Sequence, residues 1–435
     1  MTASVTGTQL DRLARVLRRR DLVAFAINSV IGAGIFGIPA VLYARVGAVS
    51  WMVVLLAAGV VGLITLCFAE VGSAFGETGG PYLYARRVFG PAAGFQVGWL
   101  MWIARLTGFA AVLNLFIAYV AFFAPSATGG AVRAAIVVLV TAALTAVNFF
   151  GVRRAVLLNN ALTLAKLVPL ALFVIGGMLF VHPERLLPAG AVVLPSVLSA
   201  VMLAIYAFSG FELLAVPAGE VRDPARDIPF ALLAGLGVVA LVYAGVQIVC
   251  VGIVPDLGTS ERPLAEAARL AAGPGGAAFI AAGALFSTLG VSHTIVLAAA
   301  RIPFAMAEQG QAPAVLAAVH PRYRTPHVSL FLSACCLLLL TLATTFTSAV
   351  TLTVGFRVLV YLLTCATLPV LRRHPLLPRA SWRAPAGDVV ATVSVLTCTA
   401  LLAARPWPET RQLALAVGAG FLAYWLLGRR IGARR

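Results

Sequence analysis

Apolar runs of membrane-spanning length dominate this chain of 435 residues. About 20 apolar residues in a helix cross the hydrocarbon core of a bilayer, and clusters of Gly, Pro and Arg divide the sequence into twelve such runs. The runs lie near 22–45, 51–75, 92–123, 132–150, 156–181, 195–217, 229–254, 275–307, 327–346, 348–371, 386–404 and 411–428. The pattern predicts an all-α integral membrane protein with twelve transmembrane helices.

Two of the runs contain a polar or glycine-rich break. The first reads "INSVIGAGIFGIPA" from Ile27 to Ala40, and the sixth reads "AIYAFSGFELLAVPAGE", with Ser209, Gly210 and Glu212 at mid-membrane. Freed backbone groups at that depth are tolerated only where protein buries them or where they line a cavity. Glycines that merely allow close helix packing are the alternative. A matched pair of breaks, one with a carboxylate, favours a binding site.

The spacing of the breaks predicts an internal repeat. They lie five runs apart, and because five is odd, repeats at about 21–181 and 195–372 would run in opposite directions, as in transporters with discontinuous helices. Helices eleven and twelve with the C-terminus (373–435) would be an addition to this core. Residues 1–20 are polar and basic without a cleavage site, so they predict a cytoplasmic tail. A zwitterion suits such breaks, because half-helix ends offer both N–H and C=O groups.

Composition and charge agree with a multi-pass membrane protein. The chain is 61% hydrophobic and 11% charged, with a mean hydropathy of +1.00, which excludes an ordinary soluble protein. The net charge of +17 follows topology, since 21 of the 32 basic residues fall in predicted inner segments and seven in outer ones. This bias predicts cytoplasmic termini, the cell inner membrane and no nucleic-acid partner. The six cysteines lack metal-ligand spacing, so neither metal nor cofactor is predicted.

Four stretches carry a family resemblance. They are "SVIGAGIFGIP" in the first run, "FAEVGSAFGETGGPYLYARRVFGP" after the second, "FSGFELLAVPAGEVRDPARDIPFAL" around the sixth and "AAARIPFAMAEQGQAP" closing the eighth. Over residues 20–375 the chain resembles the amino acid–polyamine–organocation (APC) superfamily of permeases. Major-facilitator transporters also have twelve spans, but their G-x-x-x-D-R-x-G-R-R loop is absent between the second and third runs. The resemblance implies a LeuT-like fold with broken helices 1 and 6.

The resemblance also implies substrate-binding residues at both breaks. In the family, backbone at the first break holds the substrate carboxylate and amine, which here are Val30, Ile31, Gly32, Ala33 and Gly34. Many members have serine where this chain has Ala33, so backbone amides must suffice. At the second break the matching group is Tyr206, Phe208, Ser209 and Gly210, with Phe208 similar to an aromatic gate. Ordinary core packing is the alternative for both aromatics.

Lys166 is the only lysine and lies inside the fifth run. Arginine stays charged, whereas a buried lysine can release its proton, so this position is suited to coupling protonation to conformation. In sodium-independent relatives a lysine here fills the region where sodium-coupled relatives bind sodium, and Ser287 of the eighth run is the expected neighbour. The alternative is a static ion pair.

Other intramembrane charges need partners. Glu212 is either a proton sensor or a cap on the freed helix end, and Glu70 is expected to be structural. Arg105 either faces the pocket and selects an acidic side chain, or pairs with one of these carboxylates, which makes neutral amino acids the default. A lone buried His293 is more typical of the core, and Arg357 has no assigned role.

Taken together, the sequence predicts a secondary active transporter of amino acids, sodium-independent and coupled to protons. An obligate exchanger or an exporter are alternatives within transport. A passive channel would leave Lys166 unexplained. For a membrane sensor or enzyme on the same fold, the sequence shows no nucleophile–base pair that would support catalysis. The predicted partners are an amino acid, the proton and the lipid bilayer, while the choice of amino acid and the oligomeric state stay open.

Overall fold

The structure is a computed structural model that describes residues 16–188, 193–260, 262–405 and 407–432. Regular elements in these ranges are helices, and the only strand-like pairing there is an isolated bridge between Leu17 and Val221. The α-helices are α1 (Arg19–Val30), α2 (Ala33–Val46), α3 (Ser50–Ala74), α4 (Pro81–Phe89), α5 (Pro91–Phe123), α6 (Gly130–Phe149), α7 (Val152–Gly177), α8 (Leu194–Ala207), α9 (Pro224–Ile253), α10 (Pro263–Glu308), α11 (His327–Ala343), α12 (Phe346–Arg373), α13 (Gly387–Ala403) and α14 (Trp407–Gly432). The all-α prediction is confirmed.

Fewer helices are long and apolar enough to cross a membrane unbroken than the sequence predicts. Within the described ranges there are seven, or eight when the sharply bent pair α13 and α14 counts as one. The first predicted run is divided between α1 and α2, and helices α8 and α11 are shorter apolar segments. A run that is divided into short helices is not among the long helices counted above, so the count of twelve spans stays a prediction.

The first break lies between α1 and α2. Ile31 is extended (φ −70°, ψ 92°), Gly32 follows at φ −134° and ψ −141°, and α2 begins at Ala33 with no side chain capping its N-terminus. The first break therefore leaves the positive end of the α2 dipole without a side-chain partner.

A separate kink lies inside α10, at Ala272 and Gly273, just before the predicted eighth run.

The second break follows α8, where Gly210 adopts φ +124° before a 3₁₀-helix at Phe211–Ala215. A Cβ atom on Gly210 would lie 2.3 Å from the carbonyl oxygen of Ser29. A Cβ on Gly34 would likewise lie 3.2 Å from the Cα of Ala207. The two breaks are thus in direct backbone contact, and glycine is required there both by its positive φ and by the space.

A second packed region joins the N-terminal segment to the segment that follows the second break. The amides of Val16 and Leu17 donate to the carbonyl oxygen of Glu220 at 3.0 Å. The Glu220 side chain accepts two hydrogen bonds from Arg301 of α10, at 2.7 and 3.2 Å, and both side chains are at most 1% exposed. A one-to-one buried ion pair therefore fixes this end of α10.

Candidate functional site

Lys166 of α7 holds the end of α1 against α10. Its ammonium is fully buried and donates to the carbonyl oxygens of Asn28 (3.0 Å), Ile31 (2.5 Å) and Ser287 (3.3 Å). The Ser287 hydroxyl donates to the Ile31 carbonyl as well, at 3.0 Å. No carboxylate of the described residues lies within 4.0 Å of the ammonium, so the lysine is not part of an ion pair there. One cation thereby serves the Asn28 and Ile31 carbonyls at the end of α1 and a carbonyl of α10.

Tyr243 of α9 connects the two breaks, and the sequence analysis did not single it out. Its hydroxyl oxygen lies 3.0 Å from the Val30 carbonyl and 3.2 Å from the Ala207 carbonyl, and it donates to one or the other. The Phe208 ring packs on the Tyr243 ring with centroids 5.0 Å apart. A tyrosine in a long apolar helix carries no distinctive sequence signal, because its partners are backbone atoms far along the chain.

Glu212 lies just after the second break and is completely buried. One carboxylate oxygen accepts a hydrogen bond from Arg105 Nη2 at 2.8 Å and lies 3.6 Å from Arg357 Nε. The other accepts from the Tyr361 hydroxyl at 2.6 Å and from the Gly210 amide at 2.8 Å. The carboxylate therefore both caps the freed amide and faces two guanidinium groups.

Arg357 of α12 reaches the second break directly, which the sequence analysis did not anticipate. Its Nη1 donates to the Ser209 hydroxyl, and the side chain is 10% exposed. A Cβ on Gly108 of α5 would lie 3.3 Å from Arg357 Nη2, so the absence of a side chain there makes room for the guanidinium. The signal in the sequence was an arginine in mid-run, but its direction could not be inferred from the helix alone.

The other predicted residues of the breaks are mostly buried in protein. Val30, Ile31 and Phe208 are at most 4% exposed, and Gly32 faces Val291 of α10, where a Cβ would lie 2.9 Å from a methyl group. The side chains of Ala33 and Tyr206 lie outside the described part of the structure. The roles of these residues in substrate binding stay predictions.

A cavity of about 400 Å³ opens beside the second break. Ser209, Arg357 and Tyr361 line it, together with Arg45 at the end of α2, and Arg405 and Glu409 near the start of α14. Small-molecule pockets commonly have volumes of about 300 to 1,000 Å³. Among the predicted substrate-binding residues whose side chains the structure describes, Ser209 is the one that lines this cavity.

Charged and polar groups outside the breaks have local partners. Glu70 of α3 accepts two hydrogen bonds from Arg372, at 2.8 and 2.7 Å, and one from the Ala384 amide at 2.7 Å. His293 lies between Asn148 (3.3 Å) and the Ala155 carbonyl (2.8 Å), so both ring nitrogens have a neighbour. These contacts are of the structural kind expected for both residues. Arg301, which lies inside the eighth predicted run, was missed together with its partner Glu220.

Comparison with known proteins shows that this chain is similar to membrane transporters. The family model described as "Amino acid permease" matches residues 17–428. The methylthioribose transporter of Bacillus subtilis (strain 168) is 26% identical over 96% of this chain and 94% of its own length. An uncharacterized transporter of Mycobacterium tuberculosis is 32% identical over 73% of this chain and 71% of its own length. The branched-chain amino acid permease BcaP of Bacillus subtilis is 25% identical over 96% and 94%.

The match extends over both breaks, Lys166 and the Glu212 cluster, by which we mean Glu212 with Arg105, Arg357 and Tyr361. The long apolar helices are those of a multi-pass membrane protein. Members of this family and the relatives named above are transporters rather than enzymes. The chain therefore belongs to the amino acid permease family of membrane transporters.

Proposed function

We propose that this protein is a sodium-independent secondary transporter of amino acids that couples transport to protons. The observation that carries the proposal is the Lys166 ammonium, which donates to carbonyl oxygens of Asn28, Ile31 and Ser287. Clusters of oxygen ligands, including backbone carbonyls, are also what bound metal cations require. An ammonium already fills this cluster, so the first break has its cation without sodium.

The same contacts support a role for Lys166 in coupling. A buried lysine can exchange its proton, which an arginine cannot, and loss of that proton would weaken the hold on three carbonyls at once. These carbonyls belong to α1 and α10, so the state of one ammonium affects how the two helices are held together. Rocking of one helix bundle against the other is the motion that such a contact would control.

The topology in this proposal has twelve spans in two inverted repeats, 21–181 and 195–372, with both termini in the cytoplasm and the protein in the cell inner membrane. Support comes from the arginine distribution and from two breaks that touch each other through Gly210 and Ser29. The uncapped start of α2 provides amides for a substrate carboxylate, at Gly32, Ala33 and Gly34.

An amino acid substrate is supported by the family description and by the relative named as a branched-chain amino acid permease. Another relative is named as a methylthioribose transporter, so relatives of similar identity differ in substrate. Family membership alone therefore does not identify the substrate. The substrate depends on the residues around the cavity.

Uptake into proteoliposomes tests the proposal. Purified protein in vesicles free of sodium receives a labelled amino-acid pool under an acid-outside gradient, and parallel vesicles are preloaded with unlabelled amino acids. Accumulation in empty vesicles that collapses with a protonophore is expected. Uptake only into preloaded vesicles would establish an exchanger, and equilibration without accumulation would establish a channel; a strict need for sodium would refute the role of Lys166.

A further inference from the structure

The Glu212 cluster has more positive than negative charge. Arg105 and Arg357 both face the single carboxylate of Glu212, and among the described residues no other carboxylate lies within 4.0 Å of either guanidinium. Their side chains are 1% and 10% exposed, and that of Glu212 is 0% exposed. A buried charge without a counter-ion is expensive, so this cluster is one anion short.

Hydrogen-bond donors in the cluster are also left over. Arg105 Nε and Nη1 and Arg357 Nε are buried and have no hydrogen-bond acceptor in the described structure. Guanidinium groups bind carboxylates strongly and at a defined angle, and Arg357 is the one of these two arginines that lines the cavity. Two of the unused donors belong to Arg105, which does not line the cavity, so the excess positive charge is what indicates a missing partner at Arg357.

The cavity beside the cluster provides room for that partner. Among its described lining residues are Arg357, Arg45 and Arg405 and one carboxylate, that of Glu409, which pairs with Arg405 at 2.8 Å. Its volume of about 400 Å³ suits a small metabolite. Ser209, at the same end as Arg357, directly precedes the glycine that contacts the first break. Arg357, which donates to the Ser209 hydroxyl, therefore adjoins the second break.

We propose that Arg357 and the adjoining cavity bind a carboxylate on the substrate's side chain, so that the preferred substrate is an acidic amino acid. This inference rests on the proposed amino acid transport and specifies its substrate class. The α-carboxylate lies at the amides that begin α2, and the second carboxylate lies at Arg357 and supplies the missing negative charge. Arg105 remains bound to Glu212 and positions that carboxylate rather than contacting the substrate.

Glutamate and glutamine form the matched substrate pair for the test, because they have nearly the same size and differ in charge. In proteoliposomes the wild-type protein should transport labelled glutamate at least about tenfold more efficiently than glutamine, a difference of about 1.4 kcal/mol. Arg357→Gln should abolish that preference by lowering glutamate transport to the level of glutamine transport or below, while Arg357→Lys should keep part of the preference. Arg269→Gln, an exposed arginine outside the cavity, is the control and should behave as the wild type.

The outcomes separate this inference from the function on which it rests. Transport of neutral amino acids only, unchanged in Arg357→Gln, would overturn the anion site and leave the transporter intact. Glutamine transport that requires chloride, without preference for glutamate, would assign the missing charge to an inorganic ion and also overturn it. Loss of transport of both substrates in folded Arg357→Gln would make the arginine structural. Absence of any amino acid transport by the wild type would refute the proposed function itself.

Discussion

The break between α1 and α2 and the break after α8 touch each other, yet they are held by groups of opposite charge. At the first, the Lys166 ammonium donates to carbonyl oxygens of α1 and α10. At the second, the Glu212 carboxylate accepts from the Gly210 amide and from side chains of α5 and α12. At each break a buried charge meets backbone groups of complementary polarity: carbonyl oxygens meet the Lys166 ammonium, and the Gly210 amide meets the Glu212 carboxylate.

The two breaks differ in their charge balance. The first break has one cation surrounded by neutral carbonyls, which accept all the hydrogen bonds that this ammonium makes. The second has one carboxylate between two guanidinium groups, with donors unused. The cation of the first break therefore has all its partners in the protein, whereas the second break has guanidinium charge that Glu212 does not balance. Variants at each break test this difference.

The largest effect is expected for the contact that both breaks share. Gly210→Ala places a Cβ 2.3 Å from the Ser29 carbonyl oxygen at φ +124°, so clash and backbone strain add to roughly 2 to 5 kcal/mol of lost stability. A fall in the thermal midpoint of the detergent-purified protein measures it. Gly237→Ala in α9, where no atom lies within 4 Å of the new Cβ, is the control and should be neutral. Equal midpoints for both variants would show that the breaks are not tightly packed.

The next largest effect is expected at the first break. Lys166→Met removes the donor to three carbonyl oxygens with a linear side chain that is one atom shorter. Because the Ile31 carbonyl keeps the Ser287 hydroxyl, the loss of stability should be about 1 to 3 kcal/mol. Proton-driven uptake should fall by about 100-fold in protein that still elutes as a single folded species. Ser287→Ala removes one hydroxyl from the same Ile31 carbonyl, which keeps Lys166, and should cost tenfold or less. Wild-type uptake by Lys166→Met would remove the lysine from the coupling mechanism.

A smaller effect is expected when the tighter of the two arginines at the second break is removed. Arg105→Gln loses the 2.8 Å hydrogen bond to Glu212, while Arg357 at 3.6 Å remains as a counter-ion. The loss of stability should therefore be about 1 to 2 kcal/mol, below the 3 to 5 kcal/mol typical of a buried ion pair that loses its only partner. Arg301→Gln, whose partner Glu220 has no second arginine within 4.0 Å in the described structure, provides that comparison in a thermal denaturation series.

The smallest effect on stability is expected for Arg357→Gln. Its removal ends the hydrogen bond to Ser209 but leaves Arg105 and Glu212 as a balanced pair. Because an excess buried charge disappears at the same time, the free energy of unfolding should change by less than about 1 kcal/mol. Denaturation without substrate measures this. A loss comparable to that of Arg301→Gln would mean that Arg357 is a required counter-ion, and the cluster would then have no capacity for a ligand.

Sequence reasoning reached the two breaks because helix-breaking glycines in an apolar run are a local signal. It also found Lys166 with Ser287 as its neighbour, because a single lysine among arginines stands out in the composition. It did not find Tyr243, Arg301 or the direction of Arg357, since an isolated polar residue in a helix does not reveal which distant backbone or side chain it meets. The number of spans was counted from apolar length, whereas the structure divides that length at Gly32 and Gly210.

The sequence by itself determined the membrane class, the helical content and the positions of the two breaks, because hydropathy and glycine act over a few neighbouring residues. Only the tertiary structure decided the charge balance at those breaks. Glu212 meets arginines 107 and 145 positions away, and an electrostatic energy depends on distance in space rather than along the chain. The pairing of Arg105 with Glu212, which leaves Arg357 for a ligand, follows from helix packing that no local pattern encodes.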